Sequence, residues 1–463
     1  MQSIVKILLD GQQRSTALFY ALYEPKIPLK NRKSPYLFYL DLDKALKKQW
    51  DSAVIAVSEY DKRKLREIKN NNKIIPFSLL RDTGELYKQL SEQLYKKSIN
   101  NEEFGKITEL ANNFLNYEIH MVSLPRNIDL EKIVETFERI NRTGEPLSIF
   151  DLLTAKLYRN DIKLRELLED AKENYEFLKF VPPGFILKVI ALIRGEEPKR
   201  KNILELEAEN FEEDWEKACE MLEKAYKRIV DIKNGYGVLD FKKWMPYTTM
   251  IVPLAAMIDF IKTKDIETPL NYSKIDLWYW TSVFTNRYDQ AVDTTSANDF
   301  KVIKDWINDD SKVPEFIQKF DPNLVELNVN KQSSAIYRGV MNLITLKGAL
   351  DFETGQPPQF NRERVQDDHI FPKSQFKNHA LVDSIINRTL ITTNAEKSDK
   401  KPSFYFKERY DKLGRKELNN ILKSHIIPAD ALDDLLTDNI DAFLQKRKSA
   451  IIESIRKRLR NAN

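Results

Sequence analysis

Two stretches of the C-terminal sequence are the most informative, namely Gln366-Asp367-Asp368-His369-Ile370-Phe371-Pro372 and, after it, Ile386-Asn387-Arg388-Thr389-Leu390-Ile391-Thr392-Thr393-Asn394. An aspartate beside a histidine can pair a metal ligand with a general base, and attack of water on a phosphodiester needs both groups. Asp368 and the side-chain carbonyl of Asn394 offer the oxygen ligands that Mg²⁺ prefers, and His369 would deprotonate the attacking water. These residues therefore predict a hydrolytic site that acts on phosphodiesters.

The Asp-His pair forms one site only under a condition on the local structure. Adjacent side chains of a regular strand point to opposite faces. Asp368 and His369 therefore converge only if the strand ends or bends at the pair, and Pro372 favours such a break. The alternative is an ordinary loop feature without chemistry, because short motif matches of this kind are often false positives.

The spacing of the same residues resembles that of the HNH, or ββα-metal, nucleases. The continuation Lys397-Ser398-Asp399-Lys400-Lys401-Pro402-Ser403 resembles the DUF1524 branch of that group. This resemblance implies that Asp368 and Asn394 bind Mg²⁺ or Mn²⁺ and that His369 is the general base. It further implies that Asn387 belongs to the catalytic set, where it orients the histidine or holds the loop.

The other histidines are weaker candidates. His120 and His425 lie in apolar, helix-like sequence, so we expect structural roles for them. His379 lies in a polar stretch, and we expect at most a contact with phosphate. Since the site is not flanked by a cysteine pair, the zinc-stapled HNH subtype is excluded.

A second motif, Leu8-Leu9-Asp10-Gly11-Gln12-Gln13-Arg14-Ser15-Thr16, joins a predicted strand over 4–9 to a predicted helix over 12–23. Free backbone N–H groups and the positive end of the helix dipole face such a turn, which is a phosphate-binding geometry. The glutamines can bind phosphate or base, and Arg14 can bind phosphate through two hydrogen bonds. Asp10 would hold a metal or the turn. The alternative is that Asp10 only caps the helix and Arg14 is a surface residue.

This motif resembles the signature of the DUF262 family, which has a ParB/sulfiredoxin-like fold, and a second family stretch lies at Phe137-Glu138-Arg139-Ile140-Asn141-Arg142-Thr143-Gly144-Glu145-Pro146-Leu147. DUF262 followed by DUF1524 resembles the GmrSD-type, modification-dependent restriction endonucleases and their SspE-type relatives. The resemblance implies that the first domain binds and hydrolyses GTP or another nucleoside triphosphate, and that the last domain cuts DNA. The implied nucleotide-binding residues are Asp10, Gly11, Gln12, Gln13 and Arg14. Because family members usually carry a longer segment before this motif, we expect a shortened N-terminal domain.

The predicted fold class is α+β and predominantly helical, with about three domains in 463 residues. Residues 1–160 are the shortened ParB/sulfiredoxin-like domain, 161–350 a helical middle domain, and 351–463 the ββα-metal nuclease domain with a basic C-terminal helix. The predicted details are strands over 36–40 and 74–77, a helix over 130–140, a turn over 141–146, a capping box at Ser148-x-x-Asp151, a linker over 351–361, and a core position for Trp278, Tyr279, Trp280 and Trp306.

Composition and charge exclude other classes. With 42% hydrophobic and 31% charged residues the chain is neither disordered nor fibrous. A net charge of +4 is too small for a protein that coats polyanions. The basic excess lies at the C-terminal end, where it could follow DNA phosphates through Lys446, Arg447, Lys448, Arg456, Lys457, Arg458 and Arg460.

The single cysteine, Cys219, cannot form an internal disulfide, which favours a reducing compartment. The most apolar window, 245–261, is shorter than the roughly 20 residues of a membrane span, and we expect a buried helix there. We predict a cytoplasmic protein without membrane contact.

The predicted function is a metal-dependent DNA endonuclease of the modification-dependent, type IV-like restriction class, which serves anti-phage defence. Its expected partners are DNA, in particular modified phage DNA, and a regulating nucleoside triphosphate, and a homo-oligomer is compatible with the sequence. One alternative is a DNA-binding sensor with a vestigial nuclease site. The other is a nucleotide-switched interaction protein.

Overall fold

A computed structural model describes residues 11–28, 32–121, 148–358, 365–392 and 399–460, together with Lys132. The chain forms two compact units, Met1–Asp129 and Leu130–Asn463. The described residues are predominantly helical and contain two small sheets, which agrees with the predicted fold class. The predictions over 4–9 and 130–146 fall outside the described residues, Lys132 excepted.

The N-terminal unit contains a three-stranded antiparallel sheet in the order β2-β1-β3. Its strands are β1 Tyr36–Asp41, β2 Val54–Ser58 and β3 Ile74–Pro76. Tyr39 packs with Val57 in one apolar cluster, whereas its neighbour Leu40 packs with Ile75 in another. The alternation of side chains along β1 therefore supplies the cores on both faces of the sheet.

The helices of this unit are α1 Gln12–Tyr23, α2 Leu42–Leu46, α3 Trp50–Ala53, α4 Lys62–Lys69, α5 Thr83–Tyr95 and α6 Asn101–Leu115. The predicted helix over 12–23 and the strands over 36–40 and 74–77 are confirmed to within one residue. Strand β2 was not predicted. Its five residues are too few for their periodicity to distinguish a strand from a buried helix turn.

Between residues 148 and 346 the second unit is mainly helical. Its helices in this part are α7 Ile149–Leu157, α8 Leu164–Asn174, α9 Gly184–Ile193, α10 Arg200–Glu205, α11 Phe211–Val230, α12 Phe241–Trp244, α13 Ile251–Thr263, α14 Pro269–Phe284, α15 Val292–Asn308, α16 Glu315–Gln318 and α17 Ala335–Leu346. The hydroxyl of Ser148 accepts a hydrogen bond of 3.2 Å from the amide of Asp151, which confirms Ser148 as the cap of α7. The Asp151 carboxylate accepts from the Ser148 hydroxyl at 2.7 Å and not from its backbone amide, so the predicted capping box is only half formed. Most of α13 is buried, as expected for the apolar window, and the described residues contain no helix long and apolar enough to cross a bilayer.

The four aromatic residues that were predicted to lie in the core do lie there. Trp278 and Tyr279 have no exposed surface, Trp280 is 1% exposed and Trp306 is 6% exposed. The indole of Trp278 donates a hydrogen bond of 2.8 Å to the buried carboxylate of Asp299. A stacking surface for bases is therefore not available at these positions.

The C-terminal part begins with an antiparallel pair of strands, β4 Val365–His369 and β5 Arg388–Thr392. Helix α18 (Pro402–Ser424) follows them, and α19 (Leu432–Leu436) and α20 (Ile440–Arg460) complete the chain. Phe371, Leu390 and Ile421 belong to the same hydrophobic core as the helices of the middle part.

Candidate active site

The pair Asp368 and His369 lies at the end of strand β4. His369 is the last strand residue and faces Arg388 on β5, while Asp368 faces Thr389. Consecutive strand positions send their side chains to opposite faces, so Asp368 and His369 begin in different surroundings. Both residues keep their pairing with β5 and the strand ends only after His369, so the strand does not bend between Asp368 and His369 as their convergence on one site would require.

The imidazole of His369 is held by an aspartate that the sequence analysis did not select. Its Nε2 lies 3.0 Å from Oδ1 of Asp383, and 16% of the His369 side chain is exposed. Burial lowers the pKa of His369, the positive charge of Arg388 lowers it further, and the pairing with Asp383 acts in the opposite direction. With a pKa below its usual value the imidazole is neutral near pH 7, as a general base must be.

The carboxylate of Asp383 is surrounded by cations. Lys373 Nζ donates to its Oδ2 at 2.6 Å, and a guanidinium nitrogen of Arg388 lies 3.5 Å from its Oδ1. The hydrogen bond from Lys373 lowers the pKa of Asp383 below the usual carboxyl value. Asp383 is therefore an anion at neutral pH, and 59% of the Lys373 side chain remains exposed toward solvent.

Asn387 holds the loop that joins the two strands. Its side-chain amide donates to the carbonyl oxygens of Phe371 at 2.9 Å and Val382 at 2.8 Å, and its Oδ1 accepts from the amide of Phe371 at 2.9 Å. The residue has no exposed surface. Of the two roles expected for Asn387 the structure shows the second: it fixes the backbone beyond His369 against the backbone before Asp383.

Asp367 connects the strand to the helical part of the same unit. Its carboxylate accepts hydrogen bonds from Gln332 at 2.9 Å and from the hydroxyl of Tyr337 on α17. It also pairs with Arg388 at 3.2 Å. Arg388 thus bridges Asp367 and Asp383, and the surroundings of His369 extend to α17.

The other face of the strand carries Asp368. Thr389, which faces Asp368, bonds the imidazole of His425 at 2.7 Å. The hydroxyl of Tyr405 is buried and lacks a hydrogen-bond partner among the described residues. Burial raises the pKa of Tyr405, and the charges of Asp351 and Asp368 contribute to the shift. The carboxylate of Asp368 offers oxygen atoms, the type of ligand that Mg²⁺ and Mn²⁺ prefer.

The second predicted ligand, Asn394, lies outside the described residues. Within the described ranges, no group of three or more His, Cys, Asp and Glu side chains could hold a metal ion. The predicted pair of one carboxylate and one amide is not such a group.

The remaining histidines have different surroundings. His425 is buried, and its Nε2 lies 2.7 Å from the carbonyl oxygen of Leu350, so its structural role is confirmed. His379 lies 3.1 Å from Asp441 through Nε2 and accepts from the amide of Leu381 through Nδ1, so both ring nitrogens serve the fold. The expectation for His120 was wrong, because this residue follows the end of α6 and is exposed.

The N-terminal motif is described only in part. Gly11 precedes α1 with a φ of 83°, a left-handed conformation that glycine adopts without strain. Gln13 and Arg14 are exposed in the first turn of α1, which contains no acidic residue. Asp10 lies outside the described residues, as does the side chain of Gln12. The described part retains the glycine turn and the helix start that a phosphate site requires.

The basic C-terminal helix is less available to DNA than its sequence indicated. Arg447 is fully buried, where it donates to the carbonyl oxygens of Arg388 at 2.8 Å and His425 at 3.1 Å. Arg458 donates to the carbonyl oxygen of Gly235 at 2.6 Å. The residues of the predicted cationic set that stay exposed are Lys448, Lys457 and Arg460.

Comparison with known proteins identifies the N-terminal part. Residues 4–158 match the family model of the GmrSD restriction endonuclease, N-terminal domain. The chain is also 31% identical to an uncharacterized protein of Methanocaldococcus jannaschii, MJ0686, in an alignment that covers 97% of this chain and 84% of that protein. The match confirms the predicted resemblance for the N-terminal domain and indicates a restriction-type function. The chain therefore belongs to the same family as this archaeal protein, and its N-terminal part is similar to the GmrSD restriction endonuclease N-terminal domain.

Proposed function

We propose that this protein is a metal-dependent DNA endonuclease whose reaction is carried out at the end of strand β4, in a nuclease domain of the HNH, ββα-metal type. The observation that carries the proposal is the partly exposed imidazole of His369, whose Nε2 lies 3.0 Å from Asp383 beside the exposed cation Lys373. A base of lowered pKa beside a cation suits attack on a phosphodiester, which needs deprotonated water and a contact for the phosphate. The restriction-type family supports DNA as the substrate.

The protein's own groups divide the work as follows. His369 removes a proton from the attacking water, a bond forms from that oxygen to phosphorus, and a phosphate–oxygen bond to the sugar breaks. The departing oxygen takes up a proton from solvent. Lys373 contacts the non-bridging phosphate oxygens. Asp368 and Asn394 would hold Mg²⁺ or Mn²⁺, which when bound supplies charge stabilisation to the phosphate.

We further propose that a nucleoside triphosphate regulates the protein and that its DNA substrate is modified. The glycine turn before α1 and its exposed Gln13 and Arg14 support nucleoside triphosphate binding by the N-terminal domain, with GTP as the first ligand to test. The match to a restriction endonuclease domain supports a restriction role. Modified phage DNA as the target and the cytoplasm as the compartment are further parts of the proposal.

The test is cleavage of supercoiled plasmid in the presence of Mg²⁺ or Mn²⁺, with and without GTP, on modified and unmodified DNA. The wild-type protein should cut, and His369→Ala should be slower by about 10²–10⁴-fold, which is the usual contribution of a general base. His379→Ala is the matched control, since that histidine also pairs with an aspartate but serves the fold. Equal cleavage by His369→Ala would refute the site. Salt-sensitive DNA binding without cleavage under any of these conditions would instead favour a sensor with a vestigial nuclease site.

A further inference from the structure

We propose that Asp383 is the positioning residue of the general base: it holds His369 as the tautomer protonated at Nε2 and thereby makes Nδ1 the atom that accepts the proton from water. This inference rests on the proposed nuclease function. It assigns a role to a residue that the motif does not contain.

The contact between His369 and Asp383 allows two positions for the hydrogen, on the ring nitrogen or on the carboxylate. Nε2 of His369 and Oδ1 of Asp383 lie 3.0 Å apart, a hydrogen-bond distance that by itself fits either tautomer. Lys373 at 2.6 Å and Arg388 at 3.5 Å surround the Asp383 carboxylate and favour its ionised form. An ionised carboxylate can only accept a hydrogen bond. Nε2 must therefore be the donor.

The other ring nitrogen of His369, Nδ1, is left with a lone pair. In a neutral imidazole only one nitrogen carries a hydrogen, so a protonated Nε2 leaves a lone pair on Nδ1. Among the described residues Nδ1 of His369 has no hydrogen-bond partner. His379 and His425 differ, because each uses both ring nitrogens for contacts within the protein. Among the three paired histidines, His369 is the one with a nitrogen left for chemistry.

Hydrogen bonds hold the backbone around both His369 and Asp383. Asp383 lies in the loop between the strands, and that loop is fixed on both sides of it. Asn387 binds the carbonyl oxygen of Val382, and the hydroxyl of Ser384 donates to the carbonyl oxygen of Leu327 at 2.8 Å. Asn387 also binds Phe371, two residues beyond His369. Since one buried amide fixes both sides, the 3.0 Å contact does not depend on a mobile loop.

The consequence is a division of roles between neighbouring groups. A histidine without a carboxylate partner exchanges between two tautomers and rotates about its side-chain bonds. Each of these motions takes the lone pair away from the water. Asp383 removes both motions, as the buried aspartate does in serine protease triads. Lys373 and Arg388 keep the carboxylate ionised and so maintain the tautomer.

The experiment is NMR of the full chain labelled with ¹⁵N in histidine, at mildly alkaline pH. The chain contains four histidines, and His369→Gln assigns the resonance of His369. In the wild-type protein the nitrogen shifts should show hydrogen on Nε2 and a lone pair on Nδ1. Asp383→Asn should shift the His369 signals toward the other tautomer or a mixture. Asp441→Asn is the matched control, because Asp441 pairs with His379 at a similar distance of 3.1 Å and should leave His369 unchanged.

Cleavage kinetics give the second measurement. Asp383→Asn and Asp383→Ala should lower kcat by about 10–100-fold with little change in KM, because the carboxylate does not touch the substrate. Circular dichroism and thermal unfolding check that the variants are folded, and Asp383→Asn preserves the shape if Asp383→Ala does not fold.

The outcomes separate this proposal from the proposed function. Hydrogen on Nδ1 in the wild-type protein, or a His369 signature unchanged in Asp383→Asn, overturns the role of Asp383 even if the enzyme cuts DNA through His369. Absence of cleavage by the wild-type protein overturns the nuclease function, while the nitrogen shifts still decide whether Asp383 fixes the tautomer.

Discussion

The substitution Asn387→Ala tests the frame that holds the active-site loop. It removes three hydrogen bonds of 2.8–2.9 Å from a side chain without exposed surface. The amide and carbonyl of Phe371 and the carbonyl of Val382 lose these bonds in the interior. Each buried polar group left without a partner costs about 1–3 kcal/mol, so we expect a loss of about 3–5 kcal/mol after partial relaxation. That is a large share of the roughly 5–15 kcal/mol that stabilises a typical domain.

Urea unfolding followed by tryptophan fluorescence measures this loss. Five of the six tryptophans lie in the second unit, at positions 215, 244, 278, 280 and 306, so the signal reports mainly on the unit that contains Asn387. Asn323→Ala is the control. Asn323 is also an asparagine with side-chain hydrogen bonds, to Asp321 and Arg456, but it is exposed. We expect a change of about 0.5 kcal/mol or less there. A loss below about 1 kcal/mol for Asn387→Ala would show that the hydrogen bonds of Asn387 do not hold the loop.

Three further predictions follow from buried groups. Burial raises the pKa of the Cys219 thiol to about 12, so a thiol reagent near pH 8 should label the chain only when it unfolds; labelling of the folded protein would show that this part of the core is open. Burial also raises the pKa of Tyr226 to about 12, from an ordinary value of 10.0. The folded state therefore keeps a proton that the unfolded state loses, and the contribution of Tyr226 to stability is lost as the pH rises from about 10 to 12. Tyr226→Phe should be less sensitive to alkaline unfolding over that interval, and an unchanged pH dependence would contradict the assignment. Arg447→Ala should destabilise the protein by about 2–4 kcal/mol through lost packing and hydrogen bonds. The exposed neighbour is the control: Lys448→Ala should change stability by less than about 0.5 kcal/mol but reduce the salt dependence of DNA binding. A larger loss of stability for Lys448→Ala than for Arg447→Ala would contradict the burial of Arg447.

Local chemistry explains why parts of the fold were predictable. The start of α1, the cap at Ser148 and strands β1 and β3 depend on turn residues, capping hydroxyls and apolar runs within a few positions of each other. The core position of Trp278 and its neighbours depends only on helical spacing and size. These features are set by near neighbours in the sequence.

The missed residues depend on contacts between distant positions. Asp383 meets His369 because the chain returns to the strand end 14 positions later, and the sequence around Asp383 contains no motif that indicates this. Arg447 was grouped with the basic surface, although Phe443, Leu444, Ile451 and Ile455 place it on the buried stripe of α20. That spacing of three and four residues was a usable signal for burial.

Single-turnover cleavage of plasmid, with saturating protein and Mg²⁺ or Mn²⁺, decides whether His369 is the base of a DNA nuclease. Saturation removes effects on binding, so the rate reports the chemical step. We expect cleavage by the wild-type protein and a rate lower by about 10²–10⁴-fold for His369→Ala, with His379→Ala near the wild-type rate. A His369→Ala protein that cuts as fast as the wild type would contradict this role of His369.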